Sequence, residues 1–131
     1  MPALSTFPPL LLVIVGGAFG SALRYLFGRW ALVNLGPGLP FGTWGVNIIG
    51  GLAMGLLAGW LTRTNDAASG EPLRLLLGVG LMGGFTTFSA FSLDLFNMIA
   101  RGDVALAAAY AVSSVAGSVV ALFAGVMLVR A

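Results

Sequence analysis

The chain contains no cysteine, no histidine and no lysine. The absence of cysteine excludes disulfides, thiolate nucleophiles and thiolate metal sites, and the absence of histidine excludes imidazole acid–base chemistry. Charge of either sign is scarce: 8% of the 131 residues are charged and 59% are apolar. Soluble domains carry about 25% charged and about 45–50% apolar residues, so too little polar surface is present for a water-facing fold. The bilayer is the natural solvent for such a chain. The net charge of +2 comes from six arginines and four carboxylates. A sequence pI near 10.0 points to no nucleic-acid partner here, because the arginines are scattered and form no basic patch. No nucleophile–base pair or metal-ligand cluster can be assembled, which excludes an enzyme. The N-terminus has neither the basic flank nor the small-residue cleavage site of a signal peptide, so the first apolar run is expected to be retained as a helix.

What the chain does have is long apolar runs. A membrane helix needs roughly 20 mainly apolar residues, and reading between charges yields spans over about 10–27, 43–61, 73–100 and 104–129. The expected architecture is therefore an all-α membrane protein with four transmembrane helices, forming a single transmembrane domain over 1–131. Segments 28–42 and 62–72 are expected as loops, the first rich in breakers at Gly36-Pro37-Gly38-Leu39-Pro40, and Arg101-Gly102-Asp103 as a tight link. Four spans put both termini on one side with Arg63, Arg74 and Arg130, and leave Arg24, Arg29 and Arg101 on the other. The positive-inside rule finds no preferred orientation in that balance. Two readings fit it: a short chain with few charges balances by chance, or the protein inserts both ways and pairs antiparallel.

Glycines recur at four-residue spacing: Gly16 and Gly20, then Gly51, Gly55 and Gly59, then Gly80 and Gly84. In lipid, such rows let helix backbones approach closely. A compact bundle or an oligomer follows.

Polar residues within spans are costly and mark helix contacts or ion paths. Asn47, in the second span, offers amide donors without a full charge, or serves as an interhelical clasp. Tyr110, Ser114 and Ser118 recur at i, i+4 and i+8 on one face of the fourth helix. They form either a donor track or a set of hydroxyls bonded back to their own helix. The third span contains GGFTTFSAF (Gly83–Phe91), where paired glycines and threonines are expected to break the helix in mid-membrane. Freed carbonyls there can coordinate a small cation. Phe85, Phe88 and Phe91 follow at three-residue spacing, roughly on one side, as packing residues or with electropositive ring edges toward an anion. Arg24, near a span end, either snorkels to the interface or gathers anions at a vestibule. Asp94 can hydrogen-bond structure near the break and would repel anions from a pore.

Three segments together, GGAFGSALRY (Gly16–Tyr25), PFGTWGVNIIGG (Pro40–Gly51) and GGFTTFSAF (Gly83–Phe91), resemble the fluoride channel family, Fluc or CrcB. They occur in family order, one per span, and the resemblance extends over essentially the whole chain. It implies a passive fluoride channel in the cell membrane that lowers cytoplasmic fluoride, built as an antiparallel, dual-topology homodimer with two pores. It also implies a structural sodium ion held by backbone carbonyls matching Gly83 and Thr86. The implied fluoride pathway comprises Asn47, Phe88, Phe91, Tyr110, Ser114 and Ser118, with Arg24 at the vestibule. Two departures stand out: Ala90 replaces a usual threonine, and Asp94 a usual glutamate. Some members occur as two unlike chains, and the balanced arginines favour the self-pairing form.

Fluoride holds its water tightly, so a pore must replace hydration with donors. Neutral amides, hydroxyls and ring edges do so without the trap of a full cation. A proton-coupled small four-helix exporter is the alternative of a different class. It needs a titratable carboxylate deep in a span, and Asp94 is the only candidate.

Overall fold

The computed structural model describes residues 3–64 and 67–131. Among the described residues all regular structure is helical. After a short 3-10 turn at Leu4–Thr6, α1 spans Pro9–Leu35 and α2 spans Phe41–Thr64. The third span is composite: α3 (Ala67–Leu73), a wide segment Arg74–Met82, α4 (Gly83–Phe85) and α5 (Ser89–Ala100). The last helix, α6, covers Val104–Arg130. Among the described residues four helices are long and apolar enough to cross a membrane: Pro9–Leu35, Phe41–Thr64, Gly70–Ala100 and Val104–Arg130. In the α6 window the mean hydropathy reaches 2.2 while only 11% of it is buried. Apolar residues face outward, as they do toward lipid rather than toward water.

The first helix continues past Phe27 to Leu35, through Arg29, because nothing before Gly36-Pro37 interrupts helical bonding. Gly36 ends it at φ 81°, a left-handed conformation that glycine adopts without a Cβ clash, and its N–H caps the Leu32 carbonyl. Gly102 turns the tight α5–α6 link the same way, at φ 86°. This extension moves Arg24 from near a helix end to the helix interior.

The glycine rows do pack helices. Along α2, Gly51, Gly55 and Gly59 lie in turn against the backbone at Ser118, Leu122 and Val126 of α6. Gly125 returns the contact, for a Cβ there would come within 2.5 Å of the Leu52 carbonyl. On the other side, Gly16 and Gly20 of α1 face Gly80 and Leu81, and Gly84 faces Gly17. In Arg74–Met82 the turns are wide, so that the Gly83 N–H reaches the Gly78 carbonyl, five residues back. Two tightly joined pairs result, α2 with α6 and α1 with the third span, in contact through α1–α2 and α5–α6.

Candidate functional site

The chain between α4 and α5 departs from helical geometry at Thr86, whose φ −81° and ψ 158° are extended. Its N–H and its hydroxyl both donate to the Met82 carbonyl, at 2.9 Å each. The Thr87 peptide turns toward α2. Its N–H donates to Asn47 Oδ1 at 2.8 Å, and its carbonyl accepts from Asn47 Nδ2 at 3.0 Å. Thr87 Oγ1 accepts the Ala90 N–H at 3.2 Å and caps the start of α5. Asn47 is therefore a clasp, one of its two sequence readings, and keeps one amide hydrogen with no partner among the described residues.

Around this segment lies a cavity of about 420 Å³ whose wall includes Asn47, Gly83, Thr86, Phe88, Phe91, Ser114 and Ser118. Seven of the residues singled out in the sequence thus meet in one place. Ser114 is 4% exposed and its Oγ has no hydrogen-bond partner among the described residues. A buried hydroxyl without a partner carries a desolvation cost of about 1–3 kcal/mol, which a polar occupant of the cavity would relieve. The Phe88 and Phe91 rings stand 5.7 Å apart, centroid to centroid. Phe91 is buried, whereas Phe88 is 78% exposed and lies on an open face of the chain.

Phe85 does not join them. It is buried against Gly50, and the extended Thr86 between it and Phe88 removes the common helical side expected from the spacing. Tyr110 shares the α6 face with Ser114 but is not on the cavity wall. Its ring lies 5.2 Å from that of Phe91, and its hydroxyl donates to Asp94 Oδ2 at 2.9 Å. Asp94 also borders a second cavity of about 340 Å³ with Asn97, Arg101 and the Gly36–Pro40 loop. Arg24, inside α1, donates from Nε to the Gly84 carbonyl at 3.0 Å and is not part of either cavity wall.

Sequence reasoning missed Trp44 and Thr87. The Trp44 indole N–H donates to Ser113 Oγ at 3.1 Å, tying α2 to α6 through two residues that are not on the cavity wall. Ser113 lines a different cavity from Ser114 and Ser118. Nothing in the local pattern distinguishes Thr87 from Thr86, and only the non-local partner Asn47 separates their roles.

The profile of the family described as CrcB-like protein, Camphor Resistance (CrcB), matches residues 11–126. The chain is 56% identical over 121 residues to the fluoride-specific ion channel FluC of Phenylobacterium zucineum (strain HLK1), covering 92% of this chain and 94% of that one. It is 54% identical over 121 residues to the protein of that name from Caulobacter sp. (strain K31), with 92% and 94% covered. For the one from Novosphingobium aromaticivorans the identity is 49% over 120 residues, covering 90% and 93%.

Proposed function

The chain belongs to the CrcB-like family, a family of multi-pass membrane proteins, and from that premise we propose that it is a fluoride-selective channel through which accumulated fluoride leaks passively out of the cell. No bond is made or broken, so the protein is not an enzyme. The observation that carries the reading is the cavity in which Asn47, Phe88, Phe91, Ser114 and Ser118 meet, with a buried, partnerless Ser114 hydroxyl among them. In a narrow passage these groups replace the hydration of a small anion: the free Asn47 amide hydrogen, the serine hydroxyls, and the positive edges of the two rings. No charged side chain lines this cavity, so no strong trap holds the ion. Tyr110, behind Phe91, continues the track toward Asp94, and Arg24, bonded to the Gly84 carbonyl, is read as the vestibule charge.

The segment Thr86–Phe88 is read as the break of the third span at mid-membrane depth, where irregular backbone is tolerated because it lines a cavity. The residues fit a structural sodium ion. The Thr87 and Ala90 amides, which would bond the Gly83 and Thr86 carbonyls in a continuous helix, bond Asn47 Oδ1 and Thr87 Oγ1 instead. Two carbonyls are thereby left without their helical donors, hard oxygens suited to a small cation. When bound, sodium would supply a fixed positive charge and tie the segment down. The open face with Phe88 is read as the contact with a second copy in antiparallel orientation, consistent with the balanced arginines.

Fluoride-electrode recording from liposomes reconstituted with the protein tests this function. Expected is passive efflux down a fluoride gradient with no comparable chloride flux. Efflux strictly coupled to proton entry would replace the channel by an exporter, and no efflux would overturn the reading.

A further inference from the structure

A continuous helix through residues 83–90 would place the Thr87 N–H on the Gly83 carbonyl, four residues back. That bond is the default, since an amide hydrogen in an apolar interior needs an acceptor. Here the acceptor is Asn47 Oδ1 at 2.8 Å, and the Thr87 carbonyl is matched by Asn47 Nδ2 at 3.0 Å. The carboxamide is one donor and one acceptor side by side, so it pairs with both polar groups of one residue's backbone. Because Thr87 supplies both a donor and an acceptor, the orientation of the Asn47 amide is determined. The remaining amide hydrogen belongs to a residue on the cavity wall.

We propose that Asn47 is the positioning residue of the sodium site: by clamping the Thr87 backbone it keeps the Gly83 carbonyl from being closed into the helix and leaves it to the cation. This rests on the sodium reading above. Asn47 then serves both ions at once, the cation through Thr87 and the anion through its own free N–H. The third span stays interrupted only while the clamp holds, and the glycine pair Gly83–Gly84 gives that stretch the freedom to close when it does not.

Thermal unfolding of the purified protein in detergent, without fluoride, in sodium chloride against N-methylglucamine chloride, tests the proposal. A ligand of the folded state raises the melting temperature with its concentration. The wild type is expected to show this rise. Asn47→Leu fills a similar volume with neither partner, and its sodium half-point should move up by about tenfold or more, the equivalent of about 1.4 kcal/mol. Asn47→Asp keeps an acceptor for the Thr87 N–H and should retain most of the rise while losing fluoride flux. Phe88→Ile, which leaves the clamp intact, should match the wild type in sodium. Should Asn47→Leu fail to fold, Asn47→Ser removes the clamp with a smaller side chain. A sodium response in Asn47→Leu or Asn47→Ser equal to wild type would overturn the proposal while leaving the sodium site standing. Equal losses in Asn47→Asp and Asn47→Leu would overturn the assignment to the acceptor oxygen. A wild type indifferent to sodium would remove the sodium site itself, and this inference with it.

Discussion

Phe88 and Phe91 stand side by side, but one is open on the surface and the other is buried against α6. Replacing either with isoleucine keeps a bulky apolar side chain and deletes the positive ring edge. For the buried Phe91 the packing loss should stay within about 1–2 kcal/mol. Fluoride flux should fall much more than stability at both positions, because a dry passage offers no water to replace the lost contact. Phe85→Ile is the control, since its buried ring packs behind Gly50 and is not itself part of the cavity wall. Flux measured with a fluoride electrode, beside unfolding in detergent, separates the two effects. Equal flux losses at all three positions would mean packing damage. At Asn47, the aspartate variant is expected to block flux while its elution in size-exclusion chromatography matches that of the wild type. Normal flux through it would take Asn47 out of the path.

At the scale of helices, the joint between α2 and α6 rests on glycine. A side chain at Gly55 would be driven into the Leu122 carbonyl, and backbone cannot yield as a flexible side chain can. Gly55→Leu should therefore destabilise the protein by about 1–3 kcal/mol, read as a lower denaturation midpoint in detergent. Gly28→Leu, where nothing lies within 4 Å of the added Cβ, is expected to be nearly neutral. A second joint is polar: Trp44 to Ser113. It lies away from the cavity, so Trp44→Phe should lower stability by about 1 kcal/mol and leave flux unchanged. A large flux loss there would extend the path to that side.

For the whole molecule, the balanced arginines bear on how the chain sits in the membrane. The chain has no cysteine, so single introduced thiols label against no background. Asp66 lies outside the described residues, between α2 and α3 in sequence, while Asp103 immediately precedes α6. Cysteine at either position should be labelled from both faces of the membrane in comparable amounts if the protein inserts both ways. Labelling of each from one face alone would point to a partner chain of fixed orientation. Neither surface ion pair bears on this: Arg74–Glu71 and Arg101–Asp103 are exposed pairs close in sequence, and such pairs contribute little.

Composition and spacing alone were enough to place the chain in a bilayer, to count its four helices and to mark the glycine rows as contacts. Those properties follow from transfer free energy and from helical periodicity, which are local. The residues of the cavity were legible too, as polar groups out of place in apolar runs. Their partners were not. Whether a serine returns its proton to its own helix depends on what faces it, and among the described residues nothing receives the Ser114 hydroxyl. Spacing sets Tyr110 on the same face of its helix, but says nothing of Asp94, on another helix, as the acceptor of its hydroxyl. Arg24 reads as an end-of-span charge, yet α1 runs on to Leu35 and carries it to the Gly84 carbonyl. Spacing marks a weak point in the third span, but the choice of which amide leaves the helix belongs to Asn47, forty residues earlier in the chain. A hydrogen bond between distant segments exists only once the helices are packed, and tertiary structure alone decides it.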